Sequence, residues 1–98
     1  MPEFSNAFSG LTNKEKITHS ELIRAIRLMI ASEYEAVQLY MQLAESTDNE
    51  LAKKVLIDVS NEEIVHAGEF LRLLKELKPD EENYYEQGAQ EVEEMMKK

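Results

Sequence analysis

Glu33, Glu63 and His66 are the residues of this 98-residue chain whose types and spacing most directly suggest chemistry, because each interrupts an otherwise apolar helical stripe. Carboxylates are rarely withdrawn from water unless they are paired or hold a metal. Glu63 and His66 are three residues apart and share one face of a helix, one turn from each other. Glu33 stands as far before Asp48 as Glu63 stands after it, so a hairpin turning near Asp48 would bring the three side chains level. Taken singly, each has a bland explanation: a core carboxyl can be kept neutral by an upward pKa shift, and a lone inward histidine is usually a hydrogen-bonded core residue. Taken together, they need either several coincident polar contacts or one cation. The cation is the favoured reading.

Two helices must position that set. Thr18-x-x-Glu21 is a capping box that opens the first, read as residues 18–46. Its inward stripe runs Ile23, Ile26, Ile30, Glu33, Val37, Tyr40, Ala44 in three- and four-residue steps. A second box, Thr47-x-x-Glu50, is read as opening a helix over 48–78, with the stripe Ala52, Leu56, Val59, Glu63, His66, Phe70, Leu73, Leu77 and with Pro79 ending it. So short a linker forces an antiparallel hairpin. Each helix would be a rod of about 45 Å, whereas a compact domain of this size has a radius of gyration of about 13 Å. Two such rods cannot enclose a core, and the apolar strip left open predicts self-association. One hairpin carries half of the donors that a di-metal centre in a four-helix bundle requires, a Glu from one helix and Glu-x-x-His from its neighbour. A second copy supplies the other half. Oxygen-rich ligation favours iron or manganese, with zinc, copper or calcium as competitors.

The rest of the chain narrows the classes. Asp and Glu number 20 against 11 Lys and Arg, a formal net charge of −9, and the basic residues are scattered. Nucleic acid and anionic membrane surfaces are therefore poor partners. With no Cys, disulfides, thiolate zinc sites and iron–sulfur clusters are excluded. Residues 1–17 read as an irregular arm with Phe4, Phe8 and Leu11, without the pattern of a secretory signal, and no segment approaches a membrane span, so a cytoplasmic location is expected. Residues 79–98 are acidic and interrupted by Gly88; they read as a short, weakly docked helix in one or two pieces, or as a solvated acidic tail. His19 falls on the first stripe but lies about 21 Å along the helix from Glu33 and is read as structural. Met29 and Met41 are read as packing between chains, and Glu62 and Glu69 as lying off the stripe. The fold expected is all-α: one domain, an antiparallel two-helix hairpin with a short C-terminal helix, dimerising into a four-helix bundle.

Three stretches carry a resemblance to a known family: Glu33-Tyr34-Glu35-Ala36-Val37-Gln38-Leu39-Tyr40, the linker Ser46-Thr47-Asp48-Asn49-Glu50-Leu51, and Glu62-Glu63-Ile64-Val65-His66-Ala67. Over Glu21 to Leu77, without gaps, the chain resembles the encapsulated ferritins, two-helix relatives of ferritin and rubrerythrin. The resemblance implies that Glu33, Glu63 and His66 are iron ligands and that Tyr40 lies near the metal centre. It implies two irons per pair of subunits, a ring-like decamer built from homodimers, ferroxidase chemistry, and housing inside an encapsulin shell. Certain relatives guide iron inward with acidic residues at the positions of Ser32 and Glu35 and carry an aromatic where Leu39 stands; only Glu35 keeps that pattern here. Neither the targeting peptide of some relatives nor the shell fusion of others is read after Met96.

The function expected is thus oxidation of Fe²⁺ by O₂ at a di-iron site between two subunits, for iron storage or detoxification. Two alternatives stand beside it: a helical interaction module in which any metal is only structural, and a peroxidase of the rubrerythrin kind. The lack of a Cys-rich rubredoxin-like segment counts against the second.

Overall fold

A computed structural model describes residue 12 and residues 14–97. Phe4, Phe8 and Leu11 of the expected arm lie outside the described residues. Three helices account for most of the described chain: α1 (His19–Glu45), α2 (Glu50–Leu77) and α3 (Glu81–Met96).

The start of α1 follows from Thr18. Its Oγ1 accepts from the Glu21 amide at 3.1 Å, and the Glu21 carboxylate accepts from the Thr18 amide at 2.7 Å, so two orphan donors are satisfied reciprocally. The second start differs from the expected box. Asn49, not Thr47, caps α2, accepting from the Ala52 amide at 2.9 Å. Thr47 is spent on the turn itself, where its hydroxyl accepts from the Asn49 amide at 3.2 Å. The physical reason is competition: Asn is at least as good a cap as Thr, and a cap two residues later leaves Thr47 free to tighten the link. The helix therefore begins at Glu50 rather than at 48.

α1 and α2 pack against each other as an antiparallel pair, and α3 makes no comparable contact with either. The core is small: Ile23, Ile26 and Ile30 of α1 meet Leu74 of α2, with Leu22, Phe70 and Leu77 packed around them. At that end of the hairpin His19 Nε2 bonds the Leu77 carbonyl oxygen at 2.9 Å, which gives this histidine the structural role expected of it. On α1 the buried residues are those of the expected stripe, Ile23, Ile26, Ile30 and Ala44. On α2 they are Ser60, Ala67 and Leu74, each one residue beyond the expected Val59, His66 and Leu73. One residue is about 100° of helix, so the face that α2 turns to α1 is rotated from the expected one. Small Ser60 and Ala67 let the rods approach. His66, at 46% side-chain exposure, and Leu73, at 42%, consequently sit at the edge of the hairpin instead of inside it.

The molecule is flat and open, with a radius of gyration of 17.6 Å and extents of 53 × 45 × 19 Å. Tyr34, Leu39, Val55, Ile64 and Val65 are each at least half exposed. No helix among the described residues is long and apolar enough to cross a membrane. The acidic C-terminal stretch forms one continuous helix through Gly88 rather than two pieces, and beyond Glu82 it is exposed to solvent, as expected of an acidic tail.

Candidate metal centre

The hairpin geometry brings Glu33 of α1 to the level of Glu63 and His66 on α2. One donor atom from each lies within 4.8 Å of the others. His66 Nδ1 is 3.5 Å from Glu33 Oε2 and 3.7 Å from Glu63 Oε1. Both carboxylates are largely withdrawn from water, with side-chain exposures of 18% and 19%, whereas the imidazole reaches the open edge. These spacings surround a point that a cation could share, and they are too long to satisfy the carboxylates by direct hydrogen bonding.

One atom registers the consequence. Glu33 Oε2 is buried and has no hydrogen-bond partner. A buried acceptor left unpaired is costly, and an anionic one more so. The neighbouring Glu63 carboxyl is the main influence pushing the Glu33 pKa above the usual carboxylate value, with burial second, and His66 acts in the opposite direction without reversing it. Electrostatics thus act against two adjacent negative charges here. A divalent cation would reverse that balance, because it favours both ionised forms at once and fills the vacant coordination of Oε2. The donors, two carboxylates and an imidazole, fit such an ion, with the mixed oxygen and nitrogen character that suits iron or manganese.

Glu35 does not belong to this group. Glu35 is half-buried but points about 200° around α1 from Glu33. Tyr40 is half-buried on the same stripe, about 10 Å further along the helix. A second polar arrangement was not anticipated from the sequence. Arg27 of α1 forms an ion pair with Glu81 at the start of α3, and the Tyr85 hydroxyl donates to the same carboxylate. Its available signal was an arginine set between Ile26 and Ile30 of the apolar stripe, facing a carboxylate just past Pro79.

Comparison with known proteins identifies the family and the fold. Residues 24–98 match the family described as Rubrerythrin. The chain is 40% identical over 86 residues to a ferritin-like-encapsulin shell fusion protein of Pyrococcus furiosus, covering 87% of this chain and 25% of the relative. It is 42% identical over 81 residues to the encapsulin nanocompartment cargo protein EncC of Myxococcus xanthus, covering 83% of this chain and 61% of that one. The chain therefore spans only part of the length of both curated relatives. Among solved structures, the encapsulated ferritin domain of Pyrococcus furiosus superposes with a TM-score of 0.85 at 35% identity, covering 93% of each chain. With an open two-helix hairpin, a Glu and Glu-x-x-His at one level, and these matches over most of its length, the chain belongs to the rubrerythrin-related, ferritin-like family of encapsulated ferritins.

Proposed function

We propose that the protein is a ferroxidase: two hairpins associate through the face that carries Glu33, Glu63 and His66, and Fe²⁺ bound between them is oxidised to Fe³⁺ with O₂ as electron acceptor. The observation that carries this reading is the buried, unpartnered Glu33 Oε2 set among two further donor atoms. Each hairpin then contributes two carboxylates and one imidazole, so the charges of a pair balance two divalent ions. The negative charge of Glu33 and Glu63 favours the ferric over the ferrous state, and His66 fixes orientation from the edge of the hairpin. The exposed apolar side chains of α1 and α2 support association, since covering them and completing the centre would be one event. Tyr40 would act beside the centre without ligating it, and Glu35 would draw iron toward it.

A ring of such dimers, up to a decamer, housed in an encapsulin nanocompartment is the assembly this reading calls for. Its support is the naming of both curated relatives, one fused to a shell and one a shell cargo. Oxidised iron would accumulate in the shell, because an open two-helix protomer has too little wall to enclose mineral.

The double substitution Glu63→Ala/His66→Ala tests the chemistry. Fe²⁺-dependent O₂ consumption should fall by at least about 100-fold, since loss of even outer partners of a metal site costs up to about that much. Consumption at the parent rate would leave the interaction-module reading in its place. The match to the Rubrerythrin family favours one other reading, a peroxidase, and a preference for H₂O₂ over O₂ as oxidant would select it.

A further inference from the structure

Among the described residues Glu81 is the carboxylate that is buried and yet plays no part in the proposed centre; its exposure is 9%. Its two oxygens are held from both sides. Arg27 Nη2 donates to Oε1 and Nε donates to Oε2 at 3.3 Å, while the Tyr85 hydroxyl, one turn along α3, donates to Oε2. Beside this carboxylate, Arg27 and Tyr85 line an apolar depression together with Ile30, Tyr34, Leu71 and Leu74.

Little else holds α3 to the hairpin. Tyr84, Val92, Met95 and Met96 are between 54% and 76% exposed, and Asp80 makes no side-chain capping bond to the helix it precedes. The link is residues 78–80, where Lys78 Nζ pairs with the Asp80 carboxylate at 3.2 Å on the exposed surface, a weak restraint. Turn bonds from the Glu81 and Glu82 amides to the Lys78 and Pro79 carbonyls shape the backbone locally. They reach no further than the first turn of α3. A 16-residue helix is a lever: with a length of about 24 Å, a rotation of about 10° at the turn moves its far end by about 4 Å.

A bidentate guanidinium–carboxylate contact fixes two atoms of α3 against α1, and therefore an angle as well as a distance. We propose that Arg27, Glu81 and Tyr85 form a latch that sets the direction in which α3 leaves the hairpin. Arg27 and Glu81 are its two halves, and Tyr85 is a positioning residue that holds the carboxylate in the orientation the arginine needs. The latch determines where the acidic residues of α3 and its exposed Tyr84, Val92 and Met95 are presented. It is independent of the proposed iron chemistry, since none of its members lies in the Glu33–Glu63–His66 group.

The absence of cysteine makes a distance measurement simple. Spin labels at Gln38→Cys on α1 and Gln90→Cys on α3 report the α3 direction; labels at Gln38→Cys and Lys54→Cys report the hairpin. Labelled chain is diluted with unlabelled chain so that only distances within a chain are read by pulsed electron resonance. The parent should give narrow distributions for both pairs. In Glu81→Ala and in Arg27→Gln the α1–α3 distribution should broaden by about twofold while the α1–α2 distribution stays narrow, because one partner of a part-buried, bidentate pair has lost its counterpart. The double variant should be no broader than either single one. Unchanged α1–α3 distances in both single variants, or broadening that adds in the double variant, would overturn the latch. Broadening of the α1–α2 pair as well would also overturn it, since the triad would then be holding the hairpin and not α3.

Discussion

Glu81 and Glu33 are two of the carboxylates withdrawn from water among the described residues, and the structure treats them oppositely. Glu81 meets an arginine and a tyrosine hydroxyl, and those bonds hold its pKa below the usual carboxylate value, Arg27 first and Tyr85 second. Glu33 meets a second carboxylate and an exposed imidazole, and its pKa is pushed up. Both are buried on or beside the same apolar stripe of α1, so burial alone does not distinguish them. The partners do. Glu81 is a finished ion pair whose job is complete within one chain. Glu33, in the proposed reading, is half of an arrangement completed by a cation, and that asymmetry is what would separate a structural carboxylate from a metal ligand.

Replacing Glu33 by Gln is the sharpest way to break the comparison. The amide keeps the shape while removing the charge that a cation would answer. Fe²⁺ oxidation should fall by about 100-fold or more, judged against the loss expected from disturbing a metal site. A divalent ion at 100 times its dissociation constant should stabilise the parent by about 2.7 kcal/mol, and the variant should lose most of that gain in paired thermal melts. Without added metal, Glu33→Gln should be no less stable than the parent at neutral pH, because it relieves repulsion with Glu63. A metal-free variant markedly less stable than the parent would place Glu33 in the same class as Glu81.

The opposite pKa directions predict a biphasic acid response. With a chelator present and chain concentration fixed, consider first Glu33, whose folded pKa lies above the unfolded one. As pH falls from neutral the folded chain takes up this proton first, so stability rises and the gain is complete below the ordinary glutamate value. Glu81 works the other way: its folded pKa is lowered, so its contribution is present above the ordinary value and is lost as pH falls through the folded one. Glu21, lowered by the Thr18 backbone and side-chain hydrogen bonds of the capping box, adds to that second limb. Urea midpoints across the acid range should therefore rise slightly and then fall. Glu33→Gln should erase the rise, and Glu81→Gln should reduce the fall. A parent curve that only falls would show that the repulsion at Glu33 is too small to matter.

How far the sequence discloses these regions differs for a physical reason. The Glu33, Glu63 and His66 grouping is legible because helix periodicity and distance from the turn are both one-dimensional quantities that can be read along the chain. The Thr18 cap and the stop before Pro79 are legible for the same reason. The Arg27–Glu81 pair is not, since it joins residues on opposite sides of two turns, and its existence depends on the angle at residues 78–80. Nor is the rotation of α2, which rests on the sizes of Ser60 and Ala67 and not on polarity: a stripe counted by apolar character passes through Leu73, whereas the packing chooses Leu74. At the linker, Thr47 and Asn49 are both competent caps, and only the geometry of the turn decides between them.

The smallest effects test which surfaces stay open. Gly68 in α2 and Gly88 in α3 both lie inside helices, and a Cβ added at either would meet nothing within 4 Å. Alanine at an exposed helix interior should therefore stabilise each by about 0.5–1 kcal/mol. Gly88→Ala should show this as increased helicity and a slightly higher melting temperature, with Fe²⁺ oxidation unchanged, because α3 stands apart from the centre. Gly68 follows Ala67 and lies two residues past His66, on the exposed side of α2 where Asn61, Arg72 and Lys75 lie together with Ile64 and Leu71. If the pair forms through the edge that carries His66, this side remains in water and Gly68→Ala should gain as much as Gly88→Ala. A loss at Gly68 alone would mean that a second copy crosses α2 closely at that point, and the association face would have to be rotated toward Ile64 and Leu71.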